Sequence, residues 1–266
     1  MISIPLWKRE LKANYKILLI FTAVLAMYGI CMVYMFDPAL GKMLDEFSRT
    51  MPQLMAAFGM SQSGRNLTEF LANYLYGFLL LVFPMIFEII LTNRIIAKYV
   101  DSGAMGYLLA TPNTRRKIAV TQAFVAFGGV LLLLLFNALF VMLCSAAMFP
   151  GELDYGSFFM INVGVFCLHL AISGFCYFAS CLSNDTKLSY SIGAGAMIGF
   201  YLIKMLANVG GKLENLKYAT IFTMFQPDKI IAGETQAYVM IGILAAIGVF
   251  FYILGCFVFT RKDLPV

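Results

Sequence analysis

Three acidic or basic side chains lie inside long apolar runs of this sequence, and they are the first candidates for chemistry: Glu88, His169 and Lys204. An enzyme working inside a membrane needs such groups clustered and facing one another. These three are single residues in different runs and at different depths, so an intramembrane enzyme is the less favoured class. His169, the one histidine of the chain, is interpreted as a satisfied interior side chain rather than a metal ligand.

Glu88 is the most costly of the three, because an acid in the hydrocarbon core costs at least about 2.5 kcal/mol unless it is paired or hydrated. One interpretation is a carboxylate that lines a pathway or acts in gating. Another is a helix-end acid that pairs with Arg94 or with the basic residues near the N-terminus. Lys204 lies near the end of its run, and its ammonium is expected to extend to the membrane surface.

The composition indicates a membrane protein, since 61% of the residues are hydrophobic and 12% are charged, against roughly 25% charged in soluble domains. The net charge of +5 does not suggest nucleic-acid binding, because the basic residues are divided among short loops. We predict an all-α polytopic membrane protein, a single transmembrane domain over residues 1–266. Its six predicted spans are residues 17–36, 70–91, 118–148, 158–182, 188–209 and 237–259.

The N-terminal residues 1–16 are predicted to form an amphipathic helix at the membrane surface, with Trp7 at the level of the headgroups. A charged flank of the first span is the alternative. With six spans both termini share one side, which holds twelve Lys and Arg residues against six on the other. The positive-inside rule therefore predicts cytoplasmic termini in a cell membrane, with segments 37–69 and 210–236 facing outward.

The loop after the second span combines positive charge with helix signals. Asp101 and Ser102 are predicted to cap a short helix over residues 102–110, and Thr111-Pro112 to begin the third span. The apolar residues of this short helix could form a docking surface beneath the membrane. An ordinary basic loop that only anchors the spans is the alternative.

The run DSGAMGYLLATPNTRRKI in this loop resembles the segment after the second span of ABC-2 type transporter permeases. That pattern is an acidic residue, Gly-Thr-Leu, a leucine pair, Ala/Thr-Pro, Ser/Thr-Arg and Ile. The positions that match are Asp101, Gly103, Leu108, Leu109, Ala110, Thr111, Pro112, Thr114, Arg115 and Ile118. Ala104, Gly106 and Gln122 depart from the pattern. The layout of a basic N-terminus, six spans and both termini on one side is also similar.

The resemblance implies a permease subunit of an exporter, which dimerises with a second copy or a homologous permease and pairs with a separate ATP-binding cassette subunit. The residues that would contact that subunit are Asp101, Gly103, Met105, Tyr107, Leu108, Leu109, Pro112 and Arg115. ATP and Mg²⁺ would be held by the partner, because this sequence contains no GxxxxGK[ST] motif. This chain would then hold no cofactor and be no enzyme itself. A secondary transporter or channel is the alternative, although no inverted repeat is evident.

Two further features concern packing between helices. Ser191, Gly195 and Gly199 form a stripe of small residues on the fifth span, which we expect to pack against another span in the chain or across a dimer. Asn137 in the third span is expected to form a hydrogen bond to a neighbouring helix.

Overall fold

The structure is a computed structural model that describes residues 2–36, 46, 49–60 and 66–263. Its helices are α1 (Ile4–Tyr34), α2 (Pro52–Ala57), α3 (Leu67–Asp101), α4 (Ala104–Leu109), α5 (Arg115–Met148), α6 (Tyr155–Leu182), α7 (Thr186–Val209), α8 (Pro227–Ile231) and α9 (Thr235–Arg261). The 3-10 segments Gly211–Ala219 and Ile221–Met224 join α7 to α8. No strand occurs in the described ranges.

Six of these helices are long and apolar enough to cross a membrane: α1, α3, α5, α6, α7 and α9. Each contains one of the six predicted spans or nearly all of it, so the all-α polytopic architecture is confirmed. Side-chain oxygens cap the first turns of four of them, because the first backbone N–H groups of a helix have no partner within it. The capping residues are Asn66 for α3, Thr114 for α5, Asp154 for α6 and Asp185 for α7.

Helix α1 differs from the prediction, because residues 4–16 do not form a separate surface helix. One uninterrupted helix of 31 residues runs from Ile4 to Tyr34, and at about 1.5 Å per residue it is about 46 Å long. Glu10 and Asn14, on the basic part of the helix, are buried against the rest of the bundle. The basic segment is therefore a packed extension of the first span.

Helix α3 extends ten residues beyond the predicted end of the second span, so much of the predicted basic loop is helical. Two π-helical stretches interrupt it, at Leu75–Leu79 and Asn93–Ala97. Pro84 lies between them. A proline has no N–H to donate, and a π-helical stretch shifts the hydrogen-bond register, so both leave irregular backbone inside the span.

Helices α3 and α6 are the most buried of the six long helices and form the centre of the bundle. Helix α6 packs most extensively against α9. At their crossing a Cβ added to Gly174 would lie 2.6 Å from the backbone oxygen of Gly248. These two glycines therefore allow a close approach of the two backbones that larger residues would prevent.

We call one end of the bundle the basic end. It holds residues 4–16 of α1, residues 93–101 of α3, α4, the start of α5, the turn 183–185 and residues 261–263. At the opposite end, the backbone N–H of Asp154 donates to Thr68 Oγ1 at 2.9 Å. There Asn208 of α7 also donates to the carbonyl of Ala57 in α2 at 3.4 Å, so that the short helix is attached to the bundle.

Candidate functional site

The short helix α4 at the basic end is the first candidate site. It begins after Gly103, whose φ of +71° places it in the left-handed region that glycine adopts without strain. Tyr107 is 83% exposed, whereas Met105 is 2% exposed and Leu108 is 8% exposed. The helix therefore turns one face into its own chain and presents Tyr107 outward.

Burial separates the residues predicted for a partner contact. Asp101, Gly103, Tyr107 and Pro112 are exposed, whereas Leu109 and Arg115 are partly buried. Met105 and Leu108 belong to the hydrophobic core, and Leu109 packs against it. The apolar residues predicted to form a docking surface thus mostly hold α4 onto its own bundle.

The predicted N-cap at Asp101 and Ser102 is wrong, because both residues close the preceding helix. Ser102 Oγ donates to the carbonyl of Lys98 at 2.7 Å, one turn back along α3. A carboxylate oxygen of Asp101 accepts from Thr186 Oγ1 at 2.7 Å and from the Thr186 backbone N–H at 3.4 Å. Asn93 also donates to the Thr186 carbonyl, at 3.2 Å. The end of α3 is thereby joined to the start of α7.

A second connection lies on the other side of α4. Helix α5 begins at Arg115 with Thr114 as its N-cap, so the predicted start at Thr111-Pro112 is also wrong. Arg115 donates to the carbonyl of Lys262 at 2.8 Å. Lys262 Nζ in turn donates to the carbonyls of Leu182 at 2.9 Å and of Ser183. Burial lowers the pKa of Lys262 from its ordinary value.

A third set of contacts joins the basic part of α1 to α3. Tyr99 donates to a carboxylate oxygen of Glu10 at 2.6 Å, and Arg94 donates to the side-chain oxygen of Asn14 at 3.0 Å. The guanidinium of Arg9 lies 5.5 Å from the centre of the Tyr99 ring. A cleft of about 230 Å³ is lined by Glu10, Asn14, Arg94 and Tyr99 and also touches Ala104, the first residue of α4.

The second candidate site is a buried pair at the centre of the bundle. The Nδ1 atom of His169 lies 3.0 Å from a carboxylate oxygen of Glu88, and neither side chain has any exposed surface. The expectation that the titratable groups are dispersed is therefore wrong for these two. The alternative interpretation, in which Glu88 pairs with Arg94, is also wrong, because Arg94 bonds to Asn14 instead.

The other ring nitrogen of His169 contacts the backbone of α3. Its Nε2 lies 2.7 Å from the carbonyl oxygen of Leu80. In a regular helix that carbonyl accepts from the N–H of the residue four positions later, which here is Pro84 and has none. His169 therefore supplies the hydrogen bond that the proline removes.

Lys204 also contacts the backbone of α3, and its expected extension to the membrane surface stays a prediction. Its ammonium donates to the carbonyl of Gly77 at 3.3 Å. Gly77 belongs to the first π-helical stretch, and a Cβ at this position would lie 3.1 Å from the Gly59 carbonyl oxygen. The irregular backbone of α3 is therefore bonded at two places by side chains of other helices.

Gly195 and Gly199 of α7 have open space beside them within the described part of the chain. A Cβ added to Gly195 or Gly199 would meet no atom within 4 Å, and Ser191 is exposed. Packing of this stripe against another span of the same chain is therefore excluded for the described residues, and contact with a second copy stays a prediction. It is Gly193 that faces α6, near Ala179 and Cys176.

Helix α5 carries three buried polar residues whose side chains find no hydrogen-bond partner in the described ranges: Gln122, Asn137 and Ser145. The predicted interhelical bond of Asn137 is thus not formed there. Among the described residues no three His, Cys, Asp or Glu side chains lie together in a way that could hold a metal ion.

Comparisons with known proteins add no further assignment. No protein-family model matches the chain. No curated protein matches it either.

Proposed function

We propose that this chain is the permease subunit of an ATP-driven ABC transporter, an exporter of the ABC-2 type. The proposal rests on the match of residues 101–118 to the pattern of that family and on the six candidate spans. The proposal includes a separate ATP-binding cassette subunit, which would hold ATP and Mg²⁺. Cytoplasmic termini and a cytoplasmic α4 belong to the same proposal.

The observation that carries the proposal is the position of α4 between two connections to the spans. Asp101 precedes it and bonds to Thr186 at the start of α7. Arg115 follows it and bonds to the backbone of Lys262, whose ammonium holds the carboxyl end of α6. A push on α4 would therefore reach α3, α5, α6, α7 and α9 through direct hydrogen bonds. A helix that couples a partner's movement to a membrane bundle requires such connections.

The partner would contact the exposed side of α4. Tyr107 is the large side chain presented there, with Gly103 and Pro112 exposed on either side of it. Aromatic residues contribute strongly to protein interfaces because they bury a large area with few rotatable bonds. Met105 and Leu108 would act indirectly, by holding the helix in place.

A second permease copy would pack against the exposed face of α7. Leu188, Ile198, Leu202 and Leu206 lie exposed on this face, beside Gly195 and Gly199. Small residues among large apolar ones let two helices approach closely, and in a membrane this close packing drives association.

The experiment replaces Tyr107 with Asp and compares it with Tyr218→Asp. The two tyrosines are equally exposed, at 83% and 82%, but Tyr218 lies at the opposite end of the bundle. With a tagged chain, recovery of a co-purifying P-loop ATPase should fall at least about tenfold for Tyr107→Asp, a loss of about 1.4 kcal/mol. The Tyr218 variant should retain the ATPase.

Equal recovery of the ATPase by both variants would remove α4 as the docking element. Substitutions of Met105 or Leu108 would not serve here, because they would disturb the packing of the chain itself.

A secondary transporter is the second candidate, favoured by the buried Glu88–His169 pair. Titratable residues inside spans mark proton pathways in such proteins. Transport by proteoliposomes separates the two classes: the permease requires ATP and the partner subunit, whereas a secondary transporter works from an ion gradient alone.

A further inference from the structure

His169 spans the irregular part of α3 from one side to the other. Leu80, Pro84 and Glu88 are spaced four residues apart and therefore share a helix face. The imidazole contacts the Leu80 carbonyl on one side of the proline and the Glu88 carboxyl group on the other. A single side chain of α6 thus bridges both halves of α3.

The Leu80 contact fixes the position of one proton. A carbonyl oxygen only accepts hydrogen bonds, so Nε2 carries a hydrogen and donates it. Nδ1 then has two options at its 3.0 Å distance from Glu88. It accepts from a protonated carboxyl group, or it carries a hydrogen itself and donates to a carboxylate. Both arrangements hold one proton beyond the Nε2 hydrogen, and both have no net charge.

Any other number of protons between Glu88 and His169 is unfavourable in this geometry. With no shared proton, a carboxylate oxygen faces the Nδ1 lone pair and the pair carries a negative charge. With two protons, an O–H faces an N–H and the pair carries a positive charge. Neither charge can be hydrated, because both side chains have zero exposed surface inside the bundle.

The surroundings provide no compensating charge. The other titratable groups that interact electrostatically with Glu88 are the Cys176 thiol on α6 and the Tyr252 phenol on α9. Tyr252 donates its hydrogen to Ser173 Oγ at 2.9 Å. Within the described residues, no cation of α1, α5, α7 or α9 and none of α3 itself lies within ion-pair distance of Glu88.

We propose that Glu88 and His169 form a binding site for a single proton, and that the bound proton fastens α3 to α6 across Pro84. The site exchanges its proton only when the two helices separate and water reaches the pair. This inference does not depend on which solute the chain transports or on the ATPase.

The experiment uses the fact that the chain has one histidine. The full chain is labelled with ¹⁵N-histidine, purified through a tag without histidine and placed in lipid nanodiscs, so that solid-state NMR reports one imidazole. The wild-type spectrum should show a protonated Nε2 and a hydrogen-bonded Nδ1.

Glu88→Gln is the matched variant, because its amide N–H can donate to Nδ1 without any titratable proton. It should keep the Nε2–H form. It should also lose the decrease in thermal stability that we expect of the wild type as pH rises, because unfolding of the wild type releases the shared proton.

Glu88→Leu removes the partner and should shift the Nδ1 signal to that of a free lone pair. If this variant does not fold, the comparison of wild type with Glu88→Gln is sufficient. An Nε2 without a hydrogen in the wild type, or the same loss of stability with rising pH in wild type and Glu88→Gln, would each overturn the proposal.

Discussion

The imidazole of His169 hydrogen-bonds to the Leu80 carbonyl at 2.7 Å, in the place of the backbone N–H that Pro84 lacks. A helix break in the middle of a span is thereby repaired from another helix. Since unsatisfied backbone groups are costly in hydrocarbon, the proline and the histidine should be energetically coupled.

A double-mutant cycle measures this coupling. His169→Leu leaves both the Leu80 carbonyl and Glu88 without a partner, and should destabilise the protein by about 3–5 kcal/mol. Adding Pro84→Ala restores a backbone N–H, which should recover about 1 kcal/mol. Pro84→Ala alone should increase the free energy of unfolding by less than this, because His169 already donates to the Leu80 carbonyl. Reversible unfolding in mixed micelles gives the four free energies, and additive effects would show that the two residues act separately.

The crossing of α6 and α9 should not tolerate a side chain at Gly174. Its Cβ would lie 2.6 Å from the Gly248 backbone oxygen, so the helices would have to move apart. We expect Gly174→Ala to cost about 1–3 kcal/mol. Gly242→Ala on α9, where a Cβ meets nothing within 4 Å, is the matched control. The same unfolding assay applies, and equal stabilities would mean that the crossing can relax.

The exposed stripe of α7 should carry an interface between copies. Gly195→Leu should reduce the dimer fraction in detergent and in bilayers, because it removes the close approach that the small residue allows. Gly242→Leu places the same bulk on an equally open position of α9 and should leave the dimer unchanged. Cross-linking and single-molecule photobleaching measure the fraction, and an unchanged dimer in both variants would contradict the assignment.

Asp154 should stabilise the start of α6 more strongly while it is ionised. Hydrogen bonds from Ser157 and Gly156 lower the pKa of its carboxyl group. Because the folded pKa is the lower one, the contribution is present above the unfolded value of about 3.9 and is lost as pH falls through the folded value.

Asp154→Ala should therefore raise amide exchange at Gly156 at neutral pH, by an amount corresponding to about 1 kcal/mol. The difference from wild type should shrink in acid. Asp154→Asn retains a capping oxygen and is the control, with protection expected to vary little with pH. A difference between wild type and Asp154→Ala that does not change with pH would show that the charge is not involved.

The six spans could be predicted because crossing a bilayer requires a long apolar run, and such runs are visible without knowledge of packing. The short helix α4 was also predictable, from its turn residues. Its boundaries were not, because Asp101 and Thr111 are as suitable for capping as Thr114. Only tertiary contacts decide between them, such as the bond from Thr186 to Asp101.

The Glu88–His169 pair could not be predicted from the sequence in the same way. The two residues are far apart along the chain, and their contact depends on the rotation and depth of α3 relative to α6. The π-helical stretches of α3 change that rotation, and apolar periodicity gives no sign of them. One signal was present: Pro84 and Glu88 share a helix face, so a donor from another helix could have been expected there.

The bonds made by Lys262 have a practical consequence for the end of the chain. Its backbone carbonyl accepts a hydrogen bond from Arg115, and its ammonium donates to carbonyls at the end of α6. Residues 261–263 are therefore connected by hydrogen bonds to the segments around α4. A fluorophore placed at Asp263 would therefore report displacement of α4 without touching the surface that a partner would use. For the same reason, a bulky tag fused directly after this segment would disturb the hydrogen bonds of Lys262, and a flexible spacer is advisable.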